Sequence, residues 1–229
     1  MIFSNCEITR LAEIIILAKT TEMKKANFFL PFLCGVVFLS SCGSDAPETD
    51  EASEPVCTYT YNEGMTSLDW TAYKTSEKVP VEGSFNDFEI TAESASDPLD
   101  VAKSMSFTIE TASVETNNPD RNAKISEHFF KTINTSQITG SVKSLNEDGS
   151  AVVSIKMNGV DFDVKGTYTL EDLVFSFKAS IDVASWNGVS GIEALNAVCK
   201  DLHTGADGVS KLWSEVALSF STTLKSDCN

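Results

Sequence analysis

Histidine is almost missing from this sequence: 229 residues hold only two, His128 and His203. The metalloprotease signature H-E-x-x-H is absent. G-x-S-x-G, G-x-x-x-x-G-K and C-x-x-C are absent too, which removes the signatures of α/β-hydrolases, P-loop nucleotide enzymes and dithiol oxidoreductases. His128 stands beside Phe129 in a turn-helix stretch, and His203 ends a helical stretch, where a partly positive imidazole suits the helix dipole. The run Asn146-Glu147-Asp148-Gly149-Ser150 lacks the alternating acids and terminal Glu of a calcium loop, so a hairpin turn is expected there. Asp161 and Asp163 alternate along one strand as a solvated face. The sequence therefore predicts no enzyme, no metal site and no cofactor. Positive charge is scarce as well. Seventeen Lys and Arg stand against 33 Asp and Glu, a net charge of −16. Nucleic acid is repelled, and no basic patch is visible for anionic lipid.

Long apolar runs are also lacking. The longest, Phe28 to Ser41, spans fourteen residues, against the ~20 that a helix needs to cross a bilayer. Pro31 interrupts it, and Lys24 and Lys25 precede it. A short greasy run after two lysines predicts a secretory signal peptide over residues 1–41. Met23 is the natural start, which makes residues 1–22 an upstream extension or a long leading region. The run ends in Leu39-Ser40-Ser41-Cys42, which resembles the lipobox of bacterial lipoproteins. That resemblance implies that the Cys42 thiol receives a diacylglycerol, that cleavage exposes Cys42, and that its amino group is acylated. Two or three acyl chains, at about 0.8 kcal/mol per buried CH₂, make a stable anchor where one does not. Residues 42–56 follow as an acidic tether rich in Asp, Glu and Pro, too polar to build a core. Gly43 stands where an aspartate would retain a lipoprotein in the inner membrane, so outer-membrane attachment is expected. The acidic stretch also resembles the surface-export signals of Bacteroidota lipoproteins. The folded domain is expected over residues 57–229.

Six cysteines reduce quickly. Cys6 and Cys34 leave with the leader, Cys42 is acylated, and Cys57, Cys199 and Cys228 remain. An oxidising compartment predicts one disulfide and one free thiol among three pairings. Cys57–Cys228 is favoured, because Cys57 opens the folded region and Cys228 ends it. In a closed antiparallel sheet of even strand number, those two ends are neighbours. Cys199 shares a helical face with Ile192, Leu195 and Leu202, as a small buried hydrophobe.

From residue 58 the hydrophobic period is two. Val160, Phe162, Val164, Gly166, Tyr168 and Leu170 fall on one face, with Asp161, Asp163, Lys165, Thr167 and Thr169 on the other. Strands are expected near 58–62, 66–75, 78–90, 103–114, 137–145, 150–157, 160–170, 172–183 and 212–224, or about eight if the first merges with the second. Asn158-Gly159 and the 146–149 run are hairpin turns. Short helices are expected near 118–130, opened by Pro119 after Asn118, and near 190–203. The fold class is all-β with one or two short helices. A barrel and a sandwich give the same alternation.

Residues 66 to 224 resemble the YceI-like family. The resemblance is carried by Val81-Glu82-Gly83-Ser84-Phe85, Ser113-Val114-Glu115-Thr116, Arg121-Asn122 and Phe129-Phe130. Thr66-Ser67 stands where His-Ser is common, Asn122 where Asp is common, and "TSQITGSV" replaces a segment that carries proline and phenylalanine. The resemblance implies a lipocalin-like, eight-stranded antiparallel barrel whose apolar bore holds a long isoprenoid or related lipid. Dimerising relatives imply that a homodimer is open to it. By alternation, Trp70, Phe85, Phe107, Ile109, Phe162, Val164, Phe175, Phe177 and Val216 face the bore. The expected function is a lipid-anchored carrier at the cell envelope. The alternative is an envelope interaction module whose barrel is filled by its own side chains.

Overall fold

The computed structural model describes residues 56–229. The expected signal peptide, Cys42 and nearly all of the acidic tether lie outside the described residues.

Alternation is realised over the middle of the domain in four long strands: β7 (Gln137–Leu145), β8 (Ser150–Met157), β9 (Val160–Glu171) and β10 (Val174–Asp182). Tight turns set their register. Asn158 and Gly159 take positive φ of 49° and 72° between β8 and β9, the backbone that a two-residue hairpin turn requires. Between β7 and β8 the Asp148 carboxylate accepts hydrogen bonds from the Ser150 N–H at 2.9 Å and its hydroxyl at 2.6 Å.

Among the described residues twelve strands form where about eight were expected, and ten of them make one antiparallel sheet. Two expected strands are each divided. The 78–90 stretch becomes β3 (Val79–Phe85) and β4 (Phe88–Thr91), broken at Asn86 and Asp87. The 103–114 stretch becomes β5 (Ser106–Glu110) and β6 (Val114–Glu115), broken by a 3-10 turn over Thr111–Ser113. The two corners meet. Asn86 N–H donates to Ser113 O and Glu110 N–H to Asp87 O, both at 3.0 Å. With β2 (Thr66–Lys74) and β11 (Leu212–Thr223), the order is β4-β5-β7-β8-β9-β10-β11-β2-β3-β6. Since β3 runs into β4 through two residues, the ends of the sheet join at this corner and the sheet curls into a barrel. Such corners let strands turn without exposing an open edge.

The remaining strands, β1 (Cys57–Thr60) and β12 (Lys225–Cys228), form a separate antiparallel ribbon. Cys57 pairs with Cys228 in register, and a disulfide joins them. Cys199 is the free, buried thiol among the described residues.

Among the described residues four α-helices are present where one or two were expected. Helix α1 (Pro98–Lys103) has Asp97 as N-cap, its carboxylate accepting from Leu99 N–H at 2.8 Å, with Pro98 in the first turn. Helix α2 (Pro119–Ile125) is capped by Asn118 and runs into a π turn at Ser126–Phe130. The expected 190–203 helix breaks at Cys199 into α3 (Val189–Val198) and α4 (Lys200–His203).

The helices close the barrel unequally. Val101 and Ala102 of α1 are fully buried in the same core as Leu224, with α1 packed on β7 and on β1 of the ribbon, and the Thr222 hydroxyl bonds that of Thr66 at 2.8 Å. At the opposite end α2, the π turn and α3 pack together. A side chain on Gly191 of α3 would run into the Phe129 ring.

Candidate functional site

The inner face of the barrel does not meet at its centre. Inward-facing Ile138, Val142, Leu218 and Phe220 are only half-buried, because they border a cavity of about 230 Å³. At 10–15 Å³ for each water-sized group, that is room for roughly fifteen to twenty such groups.

The wall is apolar throughout. Among its residues only Asp69, Ser106 and Ser219 are polar. Each lies between inward neighbours on its strand, so alternation turns its side chain outward. Asp69 and Ser219, partners in the ladder, also border an outer groove with Lys178. No ionisable side chain is therefore presented to the interior.

Of the nine residues assigned to the bore by alternation, Trp70, Phe85, Phe107, Ile109, Phe175, Phe177 and Val216 line the cavity. Two do not. Phe162 is 45% exposed and packs edge-to-face on Trp186 at 5.2 Å. It sits near the start of β9, where fully buried Trp186 arrives from the 3-10 turn Val183–Trp186 and fills the interior position. The Trp186 indole N–H donates to Ile155 O at 2.9 Å, which fixes it there. Val164 is buried beside its partner Val153 and packs in the core without reaching the cavity.

Three glycines absent from the sequence-based site shape this wall. Gly83 faces Trp70 across the β2–β3 ladder, and Gly140 faces Phe107 across β5–β7. A Cβ on either would fall inside contact distance of the facing ring. Gly166 takes the edge of Phe177 in the same way. With no side chain beneath, each ring lies along the wall instead of projecting across the cavity.

Half-buried Ile125, Ile192, Leu195, Leu212 and Trp213 form the rim at the helical end. A bulge shapes it: Leu212 pairs with Lys74 but Val216 with Ala72, so three residues of β11 oppose Tyr73 alone. Bulges re-aim side chains, and here Leu212 and Trp213 both reach the cavity. Trp213 Nε1–H donates to Thr75 O at 2.8 Å. Behind the rim lies His203, 8% exposed, its Nδ1 at 2.9 Å from Asn196 Oδ1. Burial, helped by the charges of Lys74 and Lys124, holds the imidazole below its ordinary pKa.

The family model of the YceI-like domain matches residues 59–224. This chain belongs to the YceI-like family. Among solved structures, it is similar to a polyisoprenoid binding domain from Saccharophagus degradans implicated in plant cell wall breakdown. The TM-score is 0.53 at 15% identity, over 76% of this chain and 99% of that one. It is also similar to BcnA of Burkholderia cenocepacia, with a TM-score of 0.50 at 16% identity over 72% and 99%. At these identities the likeness is one of fold. No curated protein sequence matches.

Two of the departures from the usual YceI-like pattern have local explanations. Asn122 Oδ1 accepts from the Thr116 hydroxyl at 2.6 Å and the Thr116 N–H at 2.9 Å. An amide oxygen serves both bonds as a carboxylate oxygen would. Gly140, within "TSQITGSV", gives Phe107 its space.

Proposed function

We propose that this protein binds a long apolar lipid of polyisoprenoid type inside its barrel. The observation that carries this reading is the cavity: hollow, closed at the ribbon end, and walled by hydrophobic side chains alone. A hydrocarbon chain gains about 25 cal/mol for each Å² it removes from water. A polar or charged ligand would leave its hydrogen-bonding groups unpaired in such a bore. The similar fold from Saccharophagus degradans, described as a polyisoprenoid binding domain, supports the same class of ligand. Binding, not catalysis, is the role, since no acid, base or nucleophile is presented to the interior.

The second part of the proposal concerns place. Cys42 carries the acyl anchor, and the barrel works at the bacterial envelope on the outer membrane. The lipobox-like Leu39-Ser40-Ser41-Cys42 and the acidic stretch behind it support this. The interaction-module alternative needs an interior filled by side chains, and the cavity weighs against it.

Denaturing extraction of purified, detergent-washed protein followed by mass spectrometry tests the first part. A stoichiometric prenyl or long-chain species is expected, and an empty extract overturns it. Labelling cells with radioactive palmitate tests the second. Label on the native chain that disappears in Cys42→Ala is expected, and label that persists in the variant overturns the assignment.

A further inference from the structure

We infer that the bound lipid carries an acidic head group, a phosphate or a carboxylate, held at the rim by Lys78 and Lys211 around Trp213. The inference rests on the proposal that an apolar tail occupies the cavity. It follows from where the wall ends. Inside there is nothing polar to meet a head group, so any head must sit at the helical rim or beyond it.

At that rim, cations gather in a chain whose net charge is −16. Lys211 Nζ stands 3.3 Å from the centroid of the Trp213 ring, and Lys78 Nζ stands 4.5 Å from it. Each ammonium is drawn to the indole face, but two like charges on one ring repel each other. An anion between them removes that repulsion. The bulge in β11 puts Trp213 on the cavity wall, so the same ring touches the tail space on one side and carries the charges beside it. Lys74 adjoins Leu212 in the ladder, and Lys74 with Lys124 contributes to the positive field felt by His203.

The acids nearby leave room for a further anion. Glu215 pairs with Lys78 at 2.9 Å. The Asp207 carboxylate accepts from Ser76 and from the Val209 N–H, and Lys211 is near enough for its charge to stabilise the carboxylate without a direct contact. Lys211 has no carboxylate partner within salt-bridge distance among the described residues. A head-group oxygen can therefore bond Lys211 directly and share Lys78 with Glu215.

The test uses the purified full chain, stripped of lipid, titrated by tryptophan fluorescence with three ligands of one tail: geranylgeraniol, geranylgeranic acid and geranylgeranyl monophosphate. The acidic ligands are expected to bind about tenfold more tightly than the alcohol at low salt. The gap should close in 1 M salt, where the screening length falls to about 3 Å. Lys78→Gln with Lys211→Gln should bring the acidic ligands to the affinity of the alcohol and leave the alcohol unchanged. Glu215→Gln, which keeps both lysines, should tighten the acidic ligands only. A preference for one acid over the other supports the inference and names its head group. Equal binding of all three by the native protein overturns it while leaving the tail proposal standing. Failure of all three to bind overturns both.

Discussion

Gly83 lies directly across the β2–β3 ladder from Trp70, and the indole occupies the space where a Gly83 side chain would stand. The Glu115 carbonyl closes the same space from the other side, 2.8 Å from the position of a Cβ. Neither neighbour can yield alone, because one is held by its ladder and the other is backbone.

Gly83→Ala should therefore destabilise the domain by about 1–3 kcal/mol, the usual cost of overpacking, and should change Trp70 fluorescence. Gly64→Ala is the control, since its nearest neighbour would be the Asn62 side chain at 3.9 Å. Urea denaturation of both variants measures the difference. Equal midpoints would remove the steric role assigned to Gly83.

Filling the cavity separates lipid capacity from folding. Val216 faces the bore and sits in the ladders between Ala72 and Ile181, so Val216→Trp projects an indole into empty space. The expected result is a cooperative unfolding curve with copurifying lipid reduced severalfold. Native lipid content in a folded Val216→Trp protein would place the ligand elsewhere.

The disulfide links residues 171 apart in sequence. By loop-closure entropy, removing a cross-link over so long a span costs about 2–5 kcal/mol. Cys228→Ser should lower the urea midpoint accordingly, and dithiothreitol should do the same to the native protein while leaving the variant unaffected.

His203 gives stability a pH dependence. Its folded pKa is lowered, by burial first and then by Lys74 and Lys124, while the unfolded chain titrates near 6.5. Above that pH the imidazole is neutral in both states and the domain keeps its full stability. As the pH falls from about 6.5 through the folded pKa, the unfolded state takes up the proton first and stability is lost. Urea midpoints across this window should fall with acid in the native protein and fall less in His203→Gln. Parallel curves would show that His203 is not the titrating group.

Strands β8 to β10 were legible because each alternates without interruption and is bounded by Asn, Asp or Gly; β7 shares those bounds, but a register shift between Val142 and Ser144 breaks its alternation. The corners at Asn86–Asp87 and Thr111–Ser113 were not. Residues on both sides of each corner keep extended backbone, and only pairing to a distant strand reveals the break. Helix α1 did leave a signal, Asp97 before Pro98, but six residues are too few for a helical period to appear. Seven of the nine residues picked by alternation border the cavity, and Phe162 does not, because Trp186 reaches that spot from another element. The glycines facing Trp70 and Phe107 depend on cross-strand register. Lys74, Lys78, Lys124 and Lys211 are scattered along the chain, so no local pattern could show that they assemble at one rim.

The ribbon of β1 and β12 carries a mechanical consequence. Val56 and Asn229 exchange backbone hydrogen bonds at 3.2 and 3.3 Å, immediately beyond the Cys57–Cys228 link. A tug arriving along the chain at Val56 is passed through a covalent bond to the far terminus before it can load β2. Because β12 continues directly from β11, the pull is shared between β2 and β11, and neither strand is peeled from the sheet alone.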